Sequence, residues 1–143
     1  MEPHLFGSVH LLFQRENEIL LLQRQNTGFE DGNWSVVAGK IDPNEDMLTA
    51  VQREAKEEVG VVIDRQDIEV AGVLHRLSGE LNWVDFFVRI TEWKGTPYNA
   101  EPDKSSALAW FPIEEMPDNT IQYVRQAIEK KEQKMWYDSD GWT

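Results

Sequence analysis

Apolar and polar residues alternate in short blocks along most of the chain, and these blocks predict β-strands. The β-prone runs lie at residues 9–13, 19–23, 34–38, 61–63, 68–77, 83–91 and 107–111. The polar residues 15–18 separate the first two runs and predict a hairpin, and residues 78–80 predict a turn between two long antiparallel strands. Segments rich in glycine or proline, at 25–33 and 94–106, predict exposed loops.

Two other segments repeat apolar residues at helical spacing. The first apolar stripe consists of Leu48, Val51, Ala55 and Val59. Because a helix turns by about 100° per residue, these side chains share one side. Asp46 suits the N-cap of this helix, and Gly60 suits the position after its end. A second amphipathic helix is predicted from Pro117 to about Lys134. Together the elements predict an α/β (α+β) fold with helices packed on a mixed sheet.

Length and composition limit the functions that remain. The 143 residues, 41% of them hydrophobic, predict one domain spanning residues 1–143. The absence of cysteine excludes disulfides and thiolate metal sites. The N-terminal segment has no basic start and reaches Arg15 too soon for a signal peptide or a membrane span. We therefore expect a cytoplasmic protein with no membrane partner.

The net charge of −12 argues against binding to a nucleic acid polymer, which requires clustered lysines and arginines. The charge is compatible with a small phosphate ligand, provided that metal ions lie between the acidic side chains and the phosphate groups. The first helix supplies candidate ligands, because Glu54, Glu57 and Glu58 are spaced to share one face. Their repulsion of a few tenths of a kcal/mol per pair would be offset by Mg²⁺, which prefers carboxylate oxygens.

The spacing of these residues over 39–61 follows a longer pattern. Its defined positions are Gly39, Glu45, Arg53, Glu54, the apolar Ala55, Glu57, Glu58, Gly60 and the apolar Val61. This pattern resembles the Nudix box, a strand–loop–helix–loop motif, at every defined position. The chain is therefore identified as a member of the Nudix hydrolase family. The chain departs from the common Pro-Gly-Gly, because Val37-Ala38-Gly39 stands there and only the last glycine is kept.

The resemblance implies a Nudix-type mixed β-sheet sandwiched between α-helices. It also implies a Mg²⁺-dependent hydrolase, with Mn²⁺ as a substitute. The reaction would cleave a diphosphate bond in a nucleoside diphosphate linked to another group, by metal-activated attack of water on phosphorus. The small nucleotide substrate could be a nucleoside triphosphate, ordinary or oxidised, a nucleotide sugar or a nucleotide cofactor.

The resemblance also implies roles for the residues of the box. Glu54, Glu57, Glu58 and the backbone carbonyl of Gly39 would hold the metal. Arg53 would orient a glutamate of the box, because its planar fork suits a carboxylate. Either Glu57 or Glu54 would act as general base, if other residues hold the metal.

Other candidate residues lie outside the metal ligands. Glu45 would fix the loop or reach the metal through water. Relatives often supply a further carboxylate from the loop before the last strand, where this chain offers Glu101 and Asp103. A plain loop residue is the alternative for Asp103. Arg24, Arg76 and Trp83 are candidates for substrate binding, with salt-bridged arginines and a core tryptophan as alternatives.

Different functions would use the same residues. A noncatalytic Nudix domain that binds a nucleotide and regulates another protein is the main alternative, although such domains usually lose box carboxylates. A purely solvated acidic helix face would not explain the positions of Gly39, Glu45 and Arg53. His4, His10 and His75 have no spacing typical of a metal site. The sequence leaves open whether the protein is a monomer or a homodimer.

Overall fold

The structure, a computed structural model, describes residues 5–130 and 132–142. The strands are β1 (Leu5–Arg15), β2 (Glu18–Arg24), β3 (Trp34–Ser35), β4 (Val37–Lys40), β5 (Ile68–Ser78), β6 (Leu81–Ile90), β7 (Ser105–Pro112) and β8 (Trp136–Asp140). The helices are α1 (Met47–Val59) and α2 (Gln122–Glu129), with short 3-10 turns at Arg65–Asp67 and Ile113–Glu115. His4 lies outside the described residues.

The strands form a mixed sheet with the order β3-β2-β1-β6-β5-β8, to which β4 is added beside β1 and β7 beside β2. The long strand β1 runs parallel to β6 and antiparallel to β4. The predicted pairs β1–β2 and β5–β6 are both antiparallel. The mixed sheet predicted from the sequence is confirmed.

Apolar residues on the two faces of the sheet form two separate cores, one under each helix. Along β1, Leu11 and Phe13 join the core of α1, whereas Leu12 between them joins the core of α2. This alternation follows from the period of two along a strand. The sheet is therefore sandwiched between α1 and α2, as the sequence predicts.

Helix α1 forms where the apolar stripe predicts it. Asp46 occupies the N-cap position, although its carboxylate bonds to the side chains of Thr49 and Arg65 and not to the backbone. Gly60 ends the helix in the left-handed conformation, with φ of 69°. A side chain at this position would be strained, which explains why glycine stands here.

The second helix is shorter than the predicted segment from Pro117 to about Lys134. It begins at Gln122 because the preceding residues pair with β3: Trp34 N–H donates to Asn119 O, and Ile121 N–H donates to Trp34 O. It ends at Glu129. The buried residues Ile121, Val124 and Ile128 share one side, as predicted.

One further segment differs from the prediction, and one strand forms where none was predicted. Residues 61–63 do not form a strand, because only Val62 makes a β-bridge, to Lys94. The C-terminal segment adds β8 parallel to β5. Trp136 fits against Gly72, where an added Cβ would lie 2.1 Å from the indole ring. No helix within the described residues has the length and apolar character needed to cross a membrane.

Candidate active site

The carboxylates of α1 face a cleft of about 440 Å³ between β4, α1 and the loop before β7. Among the described residues, the glutamates that line it are Glu54, Glu57, Glu58 and Glu101. Three basic residues, Arg24, Lys40 and Lys104, line the same cleft. The cleft thus combines acidic oxygens with cationic donors, an arrangement suited to a cation and an anionic ligand together.

Arg53 connects the carboxylates of this site. Its guanidinium donates two hydrogen bonds to Glu45, of 2.8 and 2.9 Å. It also donates to Glu54 Oε1 at 2.7 Å and to Glu57 Oε2 at 3.3 Å. A further bond of 3.0 Å goes to the backbone carbonyl of Lys40. The structure thus places Arg53 where it orients box glutamates and fastens the end of β4 to α1.

Glu45 holds the loop that precedes α1. Its Oε1 accepts a hydrogen bond of 2.9 Å from the backbone N–H of Asp42, in addition to the two bonds from Arg53. The hydrogen bond with Arg53 is the main cause that lowers the pKa of Glu45 below its ordinary value. Glu45 is therefore an ionised anchor for the loop, and it does not line the cleft.

Glu54 and Glu58 form a neighbouring acidic pair. Burial raises the pKa of Glu54, although hydrogen bonds with Glu58 and Arg53 oppose this effect. Burial also raises the pKa of Glu58 well above its ordinary value, and the neighbouring Glu54 and Glu101 add to the effect. Glu58 Oε2 is buried without a hydrogen-bond partner. Such an oxygen costs free energy unless a proton or a cation satisfies it.

Gly39 allows the pair to approach the sheet. A Cβ added to Gly39 would lie 2.1 Å from the carboxyl carbon and Oε1 of Glu54. Any side chain at residue 39 would therefore displace Glu54 or β4. This contact gives a steric reason for the glycine that begins the sequence pattern.

The donor set suits a hard divalent cation, since it consists of carboxylate oxygens and includes an unsatisfied one on Glu58. Among the described residues, however, no three carboxylate or histidine side chains converge closely enough to form a metal site as they stand. Glu57 is half exposed and its carboxylate contacts Arg53.

The loop before β7 brings Glu101, and not Asp103, to the cleft. Ala100 N–H donates to the carbonyl of Glu58 at 3.1 Å, which fastens this loop to the end of α1. The side chain of Asn99 accepts from Glu101 N–H at 3.2 Å and donates to the carbonyl of residue 105 at 2.7 Å. The sequence singled out both acidic residues, and only the loop conformation distinguishes them.

A second chamber, of about 360 Å³, adjoins the cleft and shares Arg24, Gly39 and Lys40 with it. Both Arg76 and Trp83 line this chamber, so the structure brings together the substrate-binding candidates of the sequence. The chamber is also lined by residues that the sequence did not indicate, among them Ser8, His10, Phe29 and Tyr123. They come from β1, a loop and α2, and no local pattern marks them.

Arg76 is held in this chamber by a buried ion pair. Its Nε donates to Asp85 Oδ2 at 2.6 Å, and Nη2 donates to Oδ1 at 3.2 Å. Asp85 is completely buried. The guanidinium carbon lies 4.8 Å from the centre of the Tyr123 ring and 5.5 Å from that of Trp83. Both rings can attract the cation through their π faces.

Comparisons with known proteins show which domain the chain resembles. A family model for the NUDIX domain matches residues 4–132. Nudix hydrolase 7 of Arabidopsis thaliana is 29% identical over 119 residues, covering 80% of this chain and 42% of that protein. CTP pyrophosphohydrolase of Escherichia coli is 27% identical over 115 residues, covering 80% of this chain and 78% of that protein.

A solved structure extends the similarity to three dimensions. The MutT NUDIX hydrolase from Burkholderia pseudomallei superposes with a TM-score of 0.81 and 28% sequence identity. The match covers 89% of this chain and 98% of that structure. By contrast, the chain spans less than half the length of the plant relative, at 42%.

Proposed function

Because the chain belongs to the Nudix family, we propose that it is a Mg²⁺-dependent hydrolase that cleaves a diphosphate bond in a nucleoside diphosphate linked to another group. The observation that carries the proposal is the buried, unsatisfied Glu58 Oε2 beside Glu54. A folded protein keeps such a group at a cost, and a bound cation supplies the missing partner.

Glu54, Glu57, Glu58 and the Gly39 carbonyl would hold the cation, and Mn²⁺ would serve in place of Mg²⁺. When bound, the cation neutralises diphosphate charge and acidifies water. Arg53 keeps the protein part of this site in place, because it bonds to Glu54 and Glu57 and anchors the loop through Glu45. Its role is therefore to position the ligands and not to bind substrate.

Glu101 is the proposed general base. It lines the cleft from the loop opposite α1, and its Oε2 lies 3.7 Å from Lys104 Nζ. The box glutamates are instead engaged with Arg53 or with each other. Glu101 can therefore accept a proton from water while α1 holds the cation. This assignment differs from the sequence prediction that Glu57 or Glu54 is the base.

The substrate proposed is a small nucleotide. Arg24, Lys40 and Lys104 line the cleft and offer cationic donors to phosphate oxygens despite the net charge of −12. The names of relatives include a CTP pyrophosphohydrolase and an oxidized purine nucleoside triphosphate hydrolase. Both name nucleoside triphosphates, although nucleotide sugars and cofactors stay in the proposal. A cytoplasmic location and the oligomeric state stay predictions.

A substrate panel with Mg²⁺ tests the proposal directly. The panel contains ordinary and oxidised nucleoside triphosphates, ADP-ribose, nucleotide sugars and dinucleoside polyphosphates, and released phosphate or nucleoside monophosphate is measured. We expect turnover of at least one compound and its loss in EDTA. Nucleotide binding without turnover of any compound would instead support a noncatalytic regulator.

Variants then test the residue roles with the best substrate. We expect Glu57→Gln to lower kcat by orders of magnitude while the far-UV circular dichroism is unchanged. Glu101→Gln should lower kcat by about 100-fold or more, a typical contribution of a general base. Asp103→Asn on the same loop is the matched control and should be close to wild type. If Glu101→Gln also keeps its rate, Glu101 is not the base.

A further inference from the structure

A chain of hydrogen bonds behind the second chamber fixes the proton on a buried histidine. Asp85 accepts from Arg76 and also from Ser8 Oγ, the latter at 2.6 Å. Burial alone would raise the pKa of Asp85, but the hydrogen bonds from Arg76 and Ser8 and the charge of Arg76 lower it below its ordinary value. Asp85 is therefore ionised at neutral pH and can only accept, so Ser8 gives its one hydroxyl proton to Asp85.

His10 follows in the same chain. Its Nδ1 lies 3.3 Å from Ser8 Oγ. Since the proton of Ser8 goes to Asp85, Ser8 can only accept from His10, and Nδ1 must carry the proton. Burial lowers the pKa of His10 to about 4, so the ring is neutral near pH 7. In a neutral imidazole with a proton on Nδ1, Nε2 is an acceptor.

These hydrogen bonds leave one acceptor, His10 Nε2, and one donor, Arg76 Nη1, for a ligand. Among the described residues, no protein group forms a hydrogen bond with His10 Nε2 or with Arg76 Nη1. Both residues line the chamber, and both rest against Tyr123, whose ring centre lies 6.0 Å from the His10 ring and 4.8 Å from the guanidinium carbon. Both residues therefore line the same chamber and contact the same ring of its wall.

We infer that His10 and Arg76 together read the base of the nucleotide, and that they select a lactam edge, in which a ring N–H is adjacent to a carbonyl. This inference rests on the proposed function. His10 Nε2 would accept from the ring N–H, and Arg76 Nη1 would donate to the carbonyl oxygen. Guanine offers N1–H beside O6, and uracil offers N3–H beside O4.

Adenine and cytosine fit less well. Each pairs an amino group with an adjacent ring nitrogen, so the guanidinium would face a ring nitrogen instead of a carbonyl oxygen. A charge-assisted bond to oxygen is the stronger of the two arrangements. The Trp83 ring lies near Arg76 and provides a face for stacking on any base, which gives affinity without selecting among bases.

Binding of nucleoside monophosphates tests the inference without hydrolysis, with tryptophan fluorescence as the signal. We expect GMP and UMP to bind about tenfold more tightly than 1-methyl-GMP and 3-methyl-UMP, whose ring N–H is blocked, and more tightly than AMP and CMP. Equal binding of methylated and unmethylated nucleotides, or no binding of any, would overturn the inference. If selective binding persists without hydrolysis of any substrate, only the proposed function fails.

The histidine tautomer provides a second readout that a purely structural role would not move. We expect ¹⁵N NMR at neutral pH to show the Nδ1–H tautomer of His10 in the wild type. Ser8→Ala removes the acceptor of that proton, so it should mix the tautomers and reduce the preference for the unmethylated bases. Ser35→Ala, a buried serine of β3 outside the chamber, is the matched control and should change neither. An Nε2–H tautomer in the wild type would contradict the inference.

Discussion

Replacing Arg53 by alanine should destabilise the fold far more than removing an exposed arginine that contacts the same helix. The substitution removes two bonds to Glu45, one to Glu54 and one to the carbonyl of Lys40. The side chains of Glu45 and Glu54 are each only 10% exposed, and that of Arg53 is 25% exposed. Breaking one partner of a buried pair costs about 3–5 kcal/mol, and partial exposure reduces the expected loss to about 2–4 kcal/mol.

Arg65 provides the matched control. It bonds to Asp46 at the start of α1 at 2.8 Å, but the two side chains are 48% and 56% exposed. A pair this exposed contributes little to stability, because solvent screens its charges. Urea denaturation of Arg53→Ala, Arg65→Ala and the wild type gives the free energies of unfolding. We expect the two variants to differ by about 2 kcal/mol or more.

The variant Arg53→Lys separates charge from geometry. Lysine keeps the positive charge but cannot bond to Glu45 through two donors while also reaching Glu54 and Lys40 O. We expect stability between that of Arg53→Ala and the wild type, with kcat reduced because Glu54 and Glu57 lose their support. If Arg53→Ala is no less stable than Arg65→Ala, Arg53 does not hold the site together.

Three further predictions concern glycines and pH. Gly39→Ala should fold but lose hydrolysis and Mn²⁺ binding, because its Cβ would lie 2.1 Å from the Glu54 carboxyl group. An activity assay and a Mn²⁺ titration measure the two losses. The pKa of Glu58 is raised well above 4.5 in the folded state, so above that pH the folded protein keeps a proton that the unfolded chain loses. The free energy of unfolding in EDTA should therefore fall as the pH rises from about 4.5 toward the folded pKa. Denaturation across that pH range should show a smaller fall for Glu58→Gln, whereas an identical fall would exclude Glu58 as the cause. Gly72→Ala should expel Trp136 and cost about 1–3 kcal/mol, with faster hydrogen exchange in β8 as the measurement.

The sequence predicts best where local residues decide the structure. The bounds of α1 follow from its apolar stripe and from Gly60, whose left-handed conformation ends the helix. The pairing of β5 with β6 also follows from local residues, because the turn at residues 78–80 joins the two strands directly. The box also marks Arg53 and the glutamates, because their spacing on one helix determines which side chains can meet.

Contacts between distant segments decide what the sequence could not show. Helix α2 starts late because residues 119–121 pair with Trp34. Strand β8 has a mostly polar sequence. It forms where the Trp136 indole packs against Gly72, which has no side chain to block it. The second chamber gathers residues from strands, a loop and α2, so no spacing in the sequence places His10 beside Arg76.

Titration of the protein with Mn²⁺, followed by electron paramagnetic resonance, tests most directly whether the carboxylate cleft holds the cation that hydrolysis requires. We expect the wild type to bind Mn²⁺ in competition with Mg²⁺. Glu58→Gln should lose this binding while remaining folded, and Asp103→Asn should bind as the wild type does. Unchanged Mn²⁺ affinity in Glu58→Gln would contradict the assignment of the metal site.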